Sequence, residues 1–135
     1  EMYFGRAGLN YGYAAVVTPW AFEAMRYNEF FGSRNAALFI RHNFGSLLWK
    51  TKKFQPEFVL VTNLYYSEFE NNGKHKNFAL RPANKGYYES GLQIDNIFKI
   101  YFTSIGVGAF YRYGPYSLSE PLDNLAVKAT IGLKF

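Results

Sequence analysis

From Leu125 to Phe135 the chain alternates without a break. Leu125, Val127, Ala129, Ile131, Leu133 and Phe135 fall on one parity, and Ala126, Lys128, Thr130, Gly132 and Lys134 on the other. A period of two is that of a β-strand with one apolar face and one wet or small-residue face. The same signal recurs upstream, and no helical period competes with it. Residues 2–14 set Tyr3, Ala7, Leu9, Tyr11 and Tyr13 against Arg6, Gly8, Asn10 and Gly12. Residues 35–49 set Leu38, Ile40 and Phe44 against Arg41 and Asn43; residues 57–68 set Phe58, Leu60, Leu64 and Tyr66 against Glu57 and Asn63. Residues 86–97 place Tyr88, Leu92 and Ile94 opposite Glu89, Gln93 and Asp95, and residues 100–112 place Ile105, Val107, Ala109 and Tyr111 opposite Ser104, Gly106, Gly108 and Arg112. With 124–135 this predicts six strands and an all-β fold.

The polar parity therefore collects Arg6, Asn10, Arg41, Asn43, Glu57, Asn63, Glu89, Gln93, Asp95, Arg112, Lys128 and Lys134. In a soluble sandwich this face is the outside; in a membrane barrel it is a hydrated lumen of balanced charge. Connection lengths separate the two. The segments 15–34, 69–85 and 113–123 are long and lie at one end, whereas 50–56 and 97–100 are short and lie at the other. Long external loops alternating with tight periplasmic turns are the asymmetry of an outer-membrane barrel. The long connections also hold the turn-forming runs "ENNGKHKN", "RPANKG" and "YGPYSLSEPLDN".

Composition sharpens this expectation. Aromatic residues make up 21% of 135 residues, with 12 Tyr and 14 Phe. Tyrosines near predicted strand ends, such as Tyr11, Tyr66, Tyr88 and Tyr113, suit the girdle a barrel sets at the water-lipid boundary. No apolar run approaches the ~18 residues of a membrane helix. There is no cysteine, so neither a disulfide nor a thiolate metal site is expected. The formal charge of +5 is scattered apart from Lys50, Lys52 and Lys53, which argues against a nucleic-acid partner. Six strands are too few to close a barrel, whose smallest single-chain forms have about eight. An open edge in lipid would leave backbone groups unsatisfied. The strands are thus expected to be the C-terminal six of a larger antiparallel transmembrane β-barrel, closed by the rest of the same chain or by partner chains. Glu1 opens neither on an initiator Met nor on a signal peptide, which fits a processed chain or part of a longer one.

The runs "NEFFGSRNAALFIRHNFGSLLWK" (28–50), "FQPEFVLVTN" (54–63), "KGYYESGLQIDNIFK" (85–99) and "GVGAFYRYGPYSLSEPLDNLAVKATIGLKF" (106–135) resemble the C-terminal end of a large outer-membrane protein family of Bacteroidetes-type bacteria. Its members carry an N-terminal carboxypeptidase-regulatory-like β-sandwich before a barrel region of unknown function. The ending "GVGAFYRYGPYSL…VKATIGLKF" is also similar in pattern to the last two strands of the barrel-assembly superfamily, which inserts or exports outer-membrane and surface proteins. In that superfamily five strands follow a long external loop that folds into the lumen, and five predicted strands follow 15–34 here. Where that loop has an Arg-Gly-Phe-type motif, this chain has "MRYNEF" around Arg26, without the glycine. The resemblance implies the bacterial outer membrane as location. Phe135 resembles the terminal aromatic that barrel-assembly machinery reads on its clients.

Candidate chemistry is sparse. His42 and His75 have no second imidazole or thiol at ligand spacing, so no metal site is expected. No serine sits in a nucleophile elbow, and Glu89 and Asp95 lie ~20 Å apart along one strand, too far for a catalytic carboxylate pair. Neither catalytic residues nor a cofactor are expected. The segment 15–34 draws attention instead. Its Trp20, Phe22, Met25, Tyr27 and Phe30 are costly to leave in water, and with Arg26 and Glu29 they predict a gate or docking loop that packs into the lumen, onto a partner or over the rim. Arg26 is expected to pair with a lumen acid such as Glu57 or Glu89. The expected role is envelope transport, or assembly and export of outer-membrane or surface proteins. The alternative is a soluble β-barrel or sandwich binding an apolar ligand, which would turn the apolar parity inward.

Overall fold

A computed structural model describes residues 3–4, 10–11, 14–15, 17, 20–26, 29–47, 51, 54–68 and 81–133, the side chains of 3–4, 10–11, 14–15 and 133 excepted. Its strands are β1 (Tyr3–Phe4), β2 (Asn10–Tyr11), β3 (Ala14–Ala15), β4 (Phe31–Gly32), β5 (Arg34–Gly45), β6 (Glu57–Glu68), β7 (Tyr87–Ile100), β8 (Thr103–Tyr113) and β9 (Leu125–Leu133). The five long strands form one antiparallel meander in the order β5-β6-β7-β8-β9. The sole helical element among the described residues is a short 3-10 turn, Pro121–Asn124, leading into β9. The fold is all-β, and the described sheet does not close: β5 and β9 are its edges.

The first expected strand departs from the prediction where it can be seen. Asn10–Tyr11 pairs with Ala14–Ala15 as a small hairpin, and Tyr3–Phe4 pairs with Phe31–Gly32 rather than with a long strand. The rest of 2–14 lies outside the described residues. The second correction concerns β7, which runs on to Ile100, so the tight turn falls at Tyr101 and Phe102 rather than at 97–100. The extra length is absorbed by a bulge: Ile94 faces Val107 and Phe98 faces Ile105, so Asp95, Asn96 and Ile97 stand opposite Gly106 alone. A bulge breaks the parity of a strand, and Asn96 takes the left-handed φ of 63° that lets the chain turn there. Gly106 makes room for it, since a β-carbon at that position would lie 2.2 Å from the Ile94 carbonyl oxygen and 2.7 Å from the Asp95 Cα.

The registers stack the two parities into rows. One face carries Leu38, Leu64 and Tyr88; His42, Leu60, Leu92, Ala109 and Val127; and Ile105 with Ile131. These apolar side chains are largely exposed, with Leu60, Leu92, Val127 and Ile131 at 45–60%. The opposite face carries Asn63, Glu89 and Arg112 in one row and Gln93, Gly108 and Lys128 in another. Asn63, Glu89, Gln93, Arg112 and Lys128 are each no more than 3% exposed. The covered face also holds the buried Val59, Val61, Tyr65 and Phe110, so the charged residues sit in a mixed, covered interior while the greasy face is bare, unlike a water-soluble sheet. Part of the cover is the segment 20–30, whose Phe22, Met25 and Phe30 form a buried cluster with Tyr65, Tyr87 and Tyr116.

Candidate functional site: a loop lodged on the charged face

Residues 20–26 and 29–30 are fastened to the strands at three charged points. The first is Glu89. Its carboxylate accepts from the backbone N–H groups of Glu23 (2.7 Å) and Ala24 (2.9 Å), from Asn63 Nδ2 (2.8 Å) and from the Tyr87 hydroxyl (2.9 Å). These donors use the roughly four acceptor positions a carboxylate has. Asn63 Nδ2 also reaches the Ala21 carbonyl oxygen at 3.3 Å, so one strand row holds successive loop peptides.

The second point is Lys128, whose Nζ lies 2.7 Å from Glu23 Oε2 with both side chains about as buried as any in the protein. The third is Arg112, which grips Glu29 through both ends of its guanidinium, Nη1 to Oε2 at 3.0 Å and Nη2 to Oε1 at 2.6 Å. Its Nε and Nη2 also donate to the Tyr116 carbonyl oxygen at 3.1 and 2.5 Å, and its plane sits 5.3 Å from the Tyr87 ring centroid. A planar fork of five donors suits this role, which a lysine could not fill. Buried charges persist when every charge is matched and hydrogen-bonded; here Lys128 and Arg112 each meet a loop carboxylate, and Glu89 is satisfied by neutral donors.

Aromatic packing fills the space between the ionic points. Phe22 lies 4.9 Å from Phe39, 5.4 Å from Tyr65 and 5.6 Å from Tyr87, ring centre to ring centre; Phe30 lies 4.8 Å from Tyr116 and 5.5 Å from Tyr87. The Arg81 guanidinium covers Tyr116 at 5.2 Å, and the Tyr116 hydroxyl donates to the Pro82 carbonyl at 3.0 Å. Two further connections, 81–86 and 114–124, are thereby knitted to the loop at the same end of the sheet.

Of the expected loop residues, Phe22, Met25, Glu29 and Phe30 come together in this site, while Trp20 stays 63% exposed beside Phe39. Arg26 requires a correction. It is exposed and its nearest acid is Asp123 at 3.9 Å, not Glu57 or Glu89. Glu89 is already saturated by two backbone N–H groups, Asn63 and Tyr87, and in both buried ion pairs the loop contributes the acid and the strand the base, the reverse of the expected polarity. Of the expected lumen residues, Glu89, Gln93, Arg112 and Lys128 are buried on the covered face. Arg41, on the edge strand, reaches Asp95 at 3.4 Å, and Glu57 accepts from Asn43 at 3.3 Å. Arg6, Tyr27, Phe135 and the side chain of Asn10 lie outside the described residues. Glu23, Tyr87 and Tyr116 were missed as site residues. The signal for Glu23 was Lys128 itself, a lone charge among small and apolar neighbours that needs an acid close by.

The small residues of the covered face do not make room for the loop. A β-carbon at Gly108 would meet Phe110 and Gln93, and one at Gly132 would meet Ser104 Oγ at 2.6 Å, so the sheet's own side chains fill that space. Among the described residues no three His, Cys, Asp or Glu gather at metal-binding distance. His42 packs edge to face with Phe44 at 4.4 Å on the bare face, away from the loop. No family model matches the chain, and no curated protein or solved structure is similar to it.

Proposed function

We propose that these residues form the C-terminal wall of an outer-membrane β-barrel that serves envelope transport or the assembly and export of outer-membrane or surface proteins, with the segment 20–30 as its lumenal plug. The single observation that carries this reading is the inverted polarity of the sheet. A row such as Leu60, Leu92 and Val127 left bare, over a covered row of Asn63, Glu89 and Arg112, suits a strand with lipid on one side and a packed aqueous interior on the other. An apolar-ligand barrel would turn the same residues inward. Dimensions agree as well. The 11 residues of β8 extend about 34 Å at ~3.4 Å each, and a tilt of about 45° brings this near the roughly 25 Å apolar band of such barrels.

Among the described residues no further strand flanks β5 or β9, although Val17 N–H donates to the Ala129 carbonyl oxygen at 2.8 Å, so closure falls to the remainder of the chain or to partner chains. The barrel-assembly machinery would engage β9, the last strand described. A plug tied down by the Glu23–Lys128 and Glu29–Arg112 pairs gates by release rather than by diffusion past it. The test uses the native polypeptide in membranes, with single cysteines at Leu60, Leu92 and Val127 and at Trp20, labelled by a water-soluble maleimide or quenched by lipid-borne nitroxides. The expected result is lipid quenching and no aqueous labelling at the three sheet positions, with labelling at Trp20. Aqueous labelling at all three sheet positions overturns the membrane reading.

A further inference from the structure

Below the loop, toward the β7–β8 turn, the covered face holds a separate cavity of about 230 Å³ that the plug does not fill. Its polar lining consists of Glu57, Gln93, Asp95, Asn96, Ser104 and Thr130, with Arg41 at one side. Apart from Arg41, every one of these side chains can present an oxygen. Three of those oxygens are buried with no hydrogen-bond partner: Gln93 Oε1, Asp95 Oδ1 and Asn96 Oδ1. Gln93 and Asn96 are themselves 1% and 5% exposed. Buried acceptors without donors are rare and call for an explanation.

The bulge explains how they converge. In a regular strand Asp95 and Asn96 would point to opposite faces; the extra residues of β7 bring both to the cavity lining. The Asn96 amide is oriented, because its Nδ2 donates to the Gln55 carbonyl oxygen at 2.8 Å, which leaves Oδ1 as the branch without a partner. Asp95 gives only its other oxygen to Arg41, at a long 3.4 Å. The lining residues include two carboxylates, Glu57 and Asp95, and one guanidinium, Arg41.

We propose that Gln93, Asp95 and Asn96, with Glu57, Ser104 and Thr130 around them, bind a hard cation of the calcium class together with part of its water shell. Calcium takes six to eight oxygen ligands and tolerates irregular geometry, whereas nitrogen- or sulfur-seeking metals find no ligand of their kind in this lining. A volume of 230 Å³ has room for the ion and several waters at about 30 Å³ each. Carboxylates on only two residues, diluted by neutral amides, correspond to the weak class with Kd of about 10⁻⁴–10⁻³ M. The inference rests on the atoms of the cavity and stands whether or not the bare face meets lipid.

The test is calorimetric titration of calcium chloride into the chelator-stripped native polypeptide in detergent, alongside Asp95→Asn, Gln93→Met and Arg41→Gln, each checked for its far-UV β signal. The expected result is saturable binding that weakens about tenfold or more in Asp95→Asn and about threefold in Gln93→Met. In Arg41→Gln it tightens, since the competing positive charge is gone; a purely structural role for these residues would not produce that opposite sign. If Asp95→Asn does not fold, the other two variants decide. Absence of saturable binding up to about 10 mM, well above the weak class, overturns the proposal, and so does binding that none of the folded variants changes.

Discussion

Glu23 and Lys128 meet at 2.7 Å although 105 positions separate them in the chain, and their side chains are 2% and 1% exposed. Besides the Val17 N–H bond to the Ala129 carbonyl oxygen, this pair ties the loop to the last strand. Removing one member of a buried ion pair typically costs about 3–5 kcal/mol, whereas removing both together often costs little. Lys128→Met is therefore expected to destabilise the protein by about that amount. The double variant Glu23→Gln with Lys128→Met should recover much of it. Urea unfolding of both variants in detergent measures the difference, and equal losses in the single and double variants would refute the pairing.

Arg112 ties Glu29 to Tyr116, so its geometry, not only its charge, holds the plug. Arg112→Lys keeps the charge and loses the fork, and is expected to raise the population with the loop released. Arg26 reports on that release, since its side chain is exposed while its backbone N–H is held by Glu29 Oε2 at 2.9 Å. A loss of about 2 kcal/mol in the closed state corresponds to roughly thirtyfold faster tryptic cleavage after Arg26 in the open-state regime. Unchanged cleavage in Arg112→Lys would mean that the aromatic cluster alone holds the loop.

Much of the sheet was legible in the sequence because a period of two survives wherever one face is apolar. The alternation of Phe58, Leu60, Leu64 and Tyr66 identified the 57–68 strand, and the register confirms which side each residue takes. The bulge was not legible. Asp95, Asn96 and Ile97 carry no local mark of it, and the reason for it lies on the next strand, in Gly106. The plug was legible in its aromatics but not in its charges. Arg26 drew attention as the loop's cation, yet partners are chosen by which strand charges lie beneath, and beneath the loop lie Arg112 and Lys128.

Gly106 offers a direct test of how far the bulge depends on one missing methyl. An alanine there would place Cβ 2.4 Å from Thr130 Oγ1 and closer still to the Ile94 carbonyl, and backbone does not move aside cheaply. Gly106→Ala is expected to cost about 1–3 kcal/mol through overpacking. The larger consequence is local: the strands must separate or the bulge must shift. Amide hydrogen exchange should accelerate at residues 94–98 and 104–107 while the Glu89 region at the far end keeps its protection. Uniform acceleration along both strands would show that the whole sheet, not the bulge, responds.

The bare face yields the prediction that separates lipid from water energetically. Leu92 and Val107 sit on the central strands with 46% and 40% exposure, which leaves room among the described residues for a longer side chain. In water, an arginine at such an exposed position typically changes stability by no more than about 0.5 kcal/mol. At the midplane of a bilayer the same substitution costs about 2–4 kcal/mol, and the cost falls toward the interfaces. Leu92→Arg is expected to follow the second case in phospholipid vesicles, and Tyr113→Arg, at the end of β8, to cost distinctly less. Equilibrium unfolding from vesicles measures both. A depth gradient between the two positions is what a membrane imposes, whereas equal and negligible costs would return this face to water or to a protein partner.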